Sequence, residues 1–158
     1  MDTLLLLETV HIIGAAVLFG TGVGIAFFML MAHRTHDPVI IAHTASIVVV
    51  ADILFTASAV ILQPVTGALL VYTAGYSFTA GWIVASLVLY VVTGAFWLPV
   101  VWIQYRLREL ARRAAFSGSP LPADYYRLYR IWFALGFPAF AAVIAIFWLM
   151  VAKPAIAV

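Results

Sequence analysis

Residues 4–32 read LLLLETVHIIGAAVLFGTGVGIAFFMLMA, an apolar run interrupted mainly by Glu8 and His11. About 20 helical residues cross a bilayer core about 30 Å thick, so this run spans it with more than a turn to spare. A window of about 19 residues slid along the chain finds three further runs, at 40–73, 80–105 and 128–152. The second contains Asp52, Gln63 and Pro64 and is too long for an upright span. A tilt, a kink at Pro64, or a first turn or two outside the bilayer would absorb the excess.

Composition agrees. Of the 158 residues 66% are hydrophobic and 9% charged, against roughly half and a quarter in a soluble domain. A chain this short cannot bury that much apolar surface in itself, so the surplus faces lipid. With short connections between the runs, the expected fold is all-α: an up-down-up-down four-helix transmembrane bundle, one domain over residues 1–158. The acid at Asp2 and the length of the first run mark a membrane helix, not a cleavable signal. The absence of cysteine excludes disulfides, thiolate metal sites, iron–sulfur clusters and thiol catalysis.

Six of the eight Lys and Arg (Arg106, Arg108, Arg112, Arg113, Arg127 and Arg130) lie in the connection between the third and fourth runs or, for Arg130, at the start of the fourth. Arg34 lies between the first and second, and the connection 74–79 has no base. The positive-inside rule then places the loop 106–127 in the cytoplasm and both termini outside, on the periplasmic face of a bacterial inner membrane. Lys153 is a minor exception. Lipid phosphates account for the arginine patch, and no nucleic-acid partner is expected. Arg106, Glu109, Arg112 and Arg113 extend the third helix with ion pairs, Ser117-Gly118-Ser119-Pro120 breaks it, and Asp124 is placed to cap the fourth.

Ionisable groups inside lipid are costly and mark function by default. They are Glu8, His11 and Asp52, with His43 less deep. His11 shares a helical face with Ala15, Leu18 and Gly22, and small residues there leave room for a flat cofactor or a close helix. Glu8, one turn earlier, can orient the imidazole or accept its proton. The competing reading of His11 is a structural histidine bonded to a neighbouring helix. His43 lies roughly 24 Å from His11 in depth at about 1.5 Å per residue, so the two cannot clasp one metal within a protomer. Groups level with His11 are Gln63 and Thr66 on the second helix, Trp82 and Ser86 on the third, and Trp148 and Met150 on the fourth. Asp52 reads as a structural polar contact or as part of a proton relay. His33, Arg34, His36 and Asp37 form a turn. Gly20 and Gly24 form a small-xxx-small pair suited to helix packing. No phosphate loop or hydrolase motif is present.

The segment Glu8-Thr9-Val10-His11-Ile12-Ile13-Gly14-Ala15-Ala16-Val17-Leu18-Phe19-Gly20 resembles the first helix of the CopD-like superfamily of small bacterial membrane proteins. Within it, the relative of known chemistry is the HemJ-type four-helix protoporphyrinogen oxidase. The resemblance continues through Gln63-Pro64-Val65-Thr66-Gly67, Ala80-Gly81-Trp82 and Ala152-Lys153-Pro154. The whole is also similar to a family of bacterial membrane proteins defined only as a domain of unknown function. What the resemblance implies is a haem-associated four-helix fold, with haem b on His11 and a pocket shaped by Gly22, Gln63, Trp82 and Ser86. Where the oxidase pattern has a lysine four residues after the tryptophan, this chain has Ser86, which puts oxidase activity in doubt and leaves the binding site.

Three functions follow as expectations. One is a haem- or porphyrin-binding protein in a redox or haem-related role. Another is a small proton or copper transport subunit using Glu8, His11 and Asp52, though four Met and no Cys provide poorly for soft metals. The third is a non-catalytic partner, joined to a second copy or a larger membrane complex through the Gly20/Gly24 face.

Overall fold

The structure is a computed structural model that describes residues 3–156. Four helices fill it: α1 Thr3–Arg34, α2 Pro38–Thr73, α3 Gly81–Ser117 and α4 Ala123–Ala152. Each is long and apolar enough to cross a membrane, and no strand occurs among the described residues. The protein is an all-α integral membrane protein.

The first two helices match the expected runs to within two residues. α3 continues twelve residues past its apolar run to Ser117, as the Arg106–Arg113 spacing and the Ser117-Gly118 break predict, and α4 begins five residues before Leu128. Hydropathy detects lipid contact, whereas the stretch beyond Tyr105 is built from Arg, Leu, Glu and Ala, which are polar or small yet favour helix. Arg113 Nε holds Glu109 Oε1 at 2.7 Å one turn back on this exposed extension. Gly118 ends the helix in the left-handed conformation (φ 63°), and Ser119 N–H returns to the Ala114 carbonyl at 3.0 Å. Asp124 is not the cap of α4. That position is Pro122, with no side-chain bond, and Asp124 sits inside the first turn, where its charge suits the helix N-terminus. The capping aspartate is Asp37, whose Oδ1 accepts from Val39 N–H at 2.8 Å just before Pro38 opens α2.

Two irregularities shape α2. Residues Asp52–Thr56 are wound as a π-helix. Twelve residues after Asp52, Pro64 lacks the N–H that would bond the carbonyl four residues back, that of Val60. Tyr90 of α3 fills the vacancy, its hydroxyl donating to Val60 O at 2.5 Å. In lipid no water can replace that donor. Tyr90→Phe is therefore expected to destabilise the bundle by about 1–3 kcal/mol, the cost of an orphaned buried acceptor. Reversible unfolding in mixed micelles measures it, and an unchanged midpoint would remove the role assigned to Tyr90.

Contacts place the helix ends. His11, near the start of α1, meets Thr66, near the end of α2. Asp52 of α2 meets Trp97 of α3, and the Gly81 start of α3 packs against Ile156 beyond α4. The buried core gathers at the end carrying the arginines: Met29, Ile41, Leu107 and Tyr125 are its largest fully enclosed side chains. Ala32, Ala42, Ala45, Ala111 and Ala114 are buried among them and let the helices approach closely. Away from that end the packing loosens. Beyond the stacking of His33 on Tyr129 at the arginine end, α1 and α4 meet mainly through Phe19 against Phe140 and Phe147 at 5.6 Å. Two cavities open there. Among the described residues the Gly20/Gly24 pair packs against no other helix: an added Cβ at Gly20 meets nothing within 4 Å, and one at Gly24 only Phe28 of α1 itself.

Candidate functional site

The cavity farther from the arginine end has a volume of about 450 Å³ and is bounded mainly by α1, α2 and α3. Glu8, His11, Gln63, Trp82 and Ser86 all line it, so five of the candidate residues meet at one place. The backbone explains why α1 and α2 come so near. Gly14 is buried, and a Cβ there would stand 2.5 Å from Gln63 Nε2. Gln63 uses that proximity to donate its amide N–H to the His11 carbonyl at 2.9 Å. On the neighbouring turn a Cβ at Gly67 would touch His11 Cε1 at 3.4 Å, so the glycine admits the imidazole.

One tautomer of His11 fits the hydrogen bonds of Thr66 when its hydroxyl keeps the backbone acceptor of its own helix. His11 Nδ1 lies 2.7 Å from Thr66 Oγ1. The Thr66 hydroxyl has one proton, and it donates that proton to the Leu62 carbonyl one turn back at 2.8 Å. Towards His11 the hydroxyl oxygen is then an acceptor, and Nδ1 carries the ring hydrogen. The other nitrogen, Nε2, is left with an unprotonated lone pair, the form in which imidazole binds a metal. Ser86 is buried and its hydroxyl donates to the Trp82 carbonyl at 2.7 Å, so its proton is spent within α3. Serine is thus no substitute for a base here.

A base reaches the same cavity from elsewhere. Lys153 caps α4 in the left-handed conformation (φ 43°, ψ 52°), which is uncommon outside glycine and turns the chain sharply before Pro154. Its Nζ donates to Tyr76 Oη at 2.8 Å and lies over the Tyr76 and Trp82 rings, 4.8 and 5.9 Å from their centroids. Lys153 and Met150 both line the His11 cavity. In sequence Lys153 looks like a charge closing the last helix; only the turn at its own backbone brings it back over the opening. Trp148, the other α4 candidate, is 60% exposed and faces away.

Three expected members lie elsewhere. Gly22 shares the helical face of His11 but stands eleven residues, about 16 Å, further along α1. It lines the second cavity, where a Cβ would meet Phe140 at 3.3 Å. Asp52 lines that second cavity too. His43 is exposed at the arginine end, about 30 Å along α2 from Gln63, and touches neither cavity. The histidines near the first turn serve packing. His33 stacks on Tyr129 with centroids 3.6 Å apart and planes 8° from parallel, and its Nδ1 is 3.4 Å from Tyr125 Oη. Among the described residues no group of three or more His, Cys, Asp or Glu converges as metal ligands.

No curated protein and no solved structure gives a significant match. The four apolar helices and the polar residues between them fall within residues 5–154, which are matched almost end to end by one family; the chain belongs to DUF2269, a family described as predicted integral membrane proteins.

Proposed function

We propose that the chain binds haem or a related porphyrin in the cavity on α1, α2 and α3, in a redox or haem-handling role. The observation that carries this reading is the placement of His11: Nδ1 lies 2.7 Å from Thr66 Oγ1, which leaves Nε2 for a ligand, in an apolar chamber about 450 Å³ in volume. That volume falls within the usual range of ligand pockets, about 300–1,000 Å³. The donor set suits the group. His11 would hold the group through its imidazole, Met150 would offer a thioether, and Lys153 would supply a cation for a propionate carboxylate. When bound, the iron supplies one-electron chemistry at a potential set by its axial ligands and the apolar wall. The likeness of 8–20 to the HemJ-type first helix points the same way. In this reading the arginine-bearing connections face the cytoplasm of a bacterial inner membrane and the cavity opens near the outer face, as the distribution of bases favours.

The transport alternative is weaker, because its polar groups fall in two cavities. Asp52 stands about 16 Å along α2 from Gln63, and Glu8 and His11 line a different cavity.

Porphyrin content tests the proposal. Protein purified in mild detergent from haem-replete cells should yield a stoichiometric porphyrin on acid–acetone extraction. A preparation of full yield that yields none, before or after incubation with haemin, contradicts the reading. Lys153→Gln is expected to weaken haemin binding roughly two- to fivefold, about the worth of one exposed charge pair. Haemin dimethyl ester, which has no carboxylate, should bind the variant and the original chain alike. Equal haemin affinities would remove Lys153 from the site.

A further inference from the structure

The second cavity, about 410 Å³, lies nearer the arginine end, and all four helices wall it. Its surface is aromatic: Phe19 from α1, Trp97 from α3, and Phe133, Phe137 and Phe140 from α4. Set into that wall are polar groups without a hydrogen bond of acceptable geometry among the described residues. They are Asp52 Oδ2, Gln104 Oε1 and Trp132 Nε1, with the Thr56 hydroxyl beside the Asp52 carboxylate. Asp52 and Gln104 are each 4% exposed and Trp132 is 5% exposed. The other Asp52 oxygen receives Trp97 Nε1 at 3.4 Å. Asp52 and Thr56 are the first and last residues of the π-helical turn. Such turns are rare and recur at functional sites. Burying a polar group without a partner is costly, and here several line one chamber.

The chemistry of these groups selects the occupant. Water is a poor one. At about 30 Å³ per molecule, the chamber would take on the order of a dozen, most of them facing phenyl rings with no partner. A lipid tail fills the space and leaves every polar group unpaired. A metal cation needs about six oxygens and would meet the Trp132 N–H. A flat ring bearing oxygens at its edge satisfies both halves of the wall. Its faces lie on the phenyl and indole rings, a carbonyl oxygen accepts from Trp132 Nε1–H or the Thr56 hydroxyl, and a ring hydroxyl donates to Asp52 or Gln104.

We propose that this second cavity is a binding site for a lipid-soluble quinone or quinol. The site stands whether or not His11 carries a porphyrin.

Equilibrium gel filtration of the full chain with decylubiquinone tests it, the bound quinone being extracted and quantified. The original chain should take up quinone saturably to a stoichiometric plateau. Trp132→Phe removes the free N–H while keeping a ring, and should weaken uptake about tenfold, the order expected for a buried hydrogen bond. Gly136 lines the cavity, and a Cβ there meets nothing within 4 Å, so Gly136→Leu fills the chamber without striking the backbone. It should abolish saturable uptake while circular dichroism and elution volume stay unchanged. His11→Ala should bind quinone as the original chain does, which separates this site from the porphyrin proposal. Uptake that rises linearly with detergent and is equal in all four proteins overturns the assignment. So does saturable uptake untouched by both cavity variants. If Gly136→Leu fails to fold, Trp132→Phe decides alone.

Discussion

His11→Ala is expected to abolish porphyrin retention while leaving the four-helix bundle intact. The substitution removes the only imidazole lining the α1–α3 cavity among the described residues. Its structural contacts are few: a hydrogen bond to Thr66, and a carbonyl bonded to Gln63 that any residue would supply. Helix content and elution volume should therefore match the original chain. Thr66→Val probes the same site more finely. It keeps the shape of the side chain but deletes the acceptor for Nδ1–H, and removing such outer partners costs about 10–100-fold in metal-group affinity. Absorbance titration with haemin measures both. If Thr66→Val binds haemin as the original chain does, the proton order drawn from Leu62 through Thr66 to His11 is wrong.

Leu107→Ala is expected to have the largest effect on stability, about 2–4 kcal/mol, in the lower part of the range for enclosed leucines. Leu107 is 0% exposed at the arginine end, where the core is continuous. In lipid the loss cannot come from hydration, because an acyl chain is as apolar as leucine. It comes from the cavity and the dispersion contacts that vanish with the side chain. Leu98→Ala on the same helix is the control: Leu98 is 66% exposed, lipid replaces its contacts, and the midpoint of denaturant unfolding should scarcely move. Equal effects at both positions would show that the bundle is not held chiefly at the arginine end.

Some of this arrangement can be read from residues alone. The four spans follow from hydropathy, because lipid contact leaves a uniform apolar signature whatever the packing. Depth follows from counting: with a turn near Thr35, a rise of about 1.5 Å per residue puts Gln63 and Thr66 level with His11 and keeps His43 far away. Both contacts are present in the structure. What cannot be read is anything set by a local departure from regular helix. Gly22 was grouped with His11 because eleven residues return to the same face, yet three further turns of depth put it in the other cavity. The π-helical turn at Asp52–Thr56 has no sequence signature, and it is what places Asp52 on a cavity wall. Pro64 announces a free carbonyl at Val60, but nothing in the sequence says that Tyr90 will occupy it. Lys153 reaches the His11 cavity only through its left-handed backbone. Hydropathy alone stops short at the ends of α3 and α4, where helix propensity continues; the ion-pair spacing and the Ser117-Gly118 break recover the end of α3, while the cap of α4 is Pro122 and not Asp124.

The most direct measurement is the visible absorption spectrum of the purified chain in mild detergent, oxidised and then reduced with dithionite. An intense Soret band that shifts on reduction, with resolved α and β bands, is the predicted result. Its absence in His11→Ala would assign the band to that imidazole. A chain that is colourless at full yield, and still colourless after haemin is added and excess removed, contradicts the account.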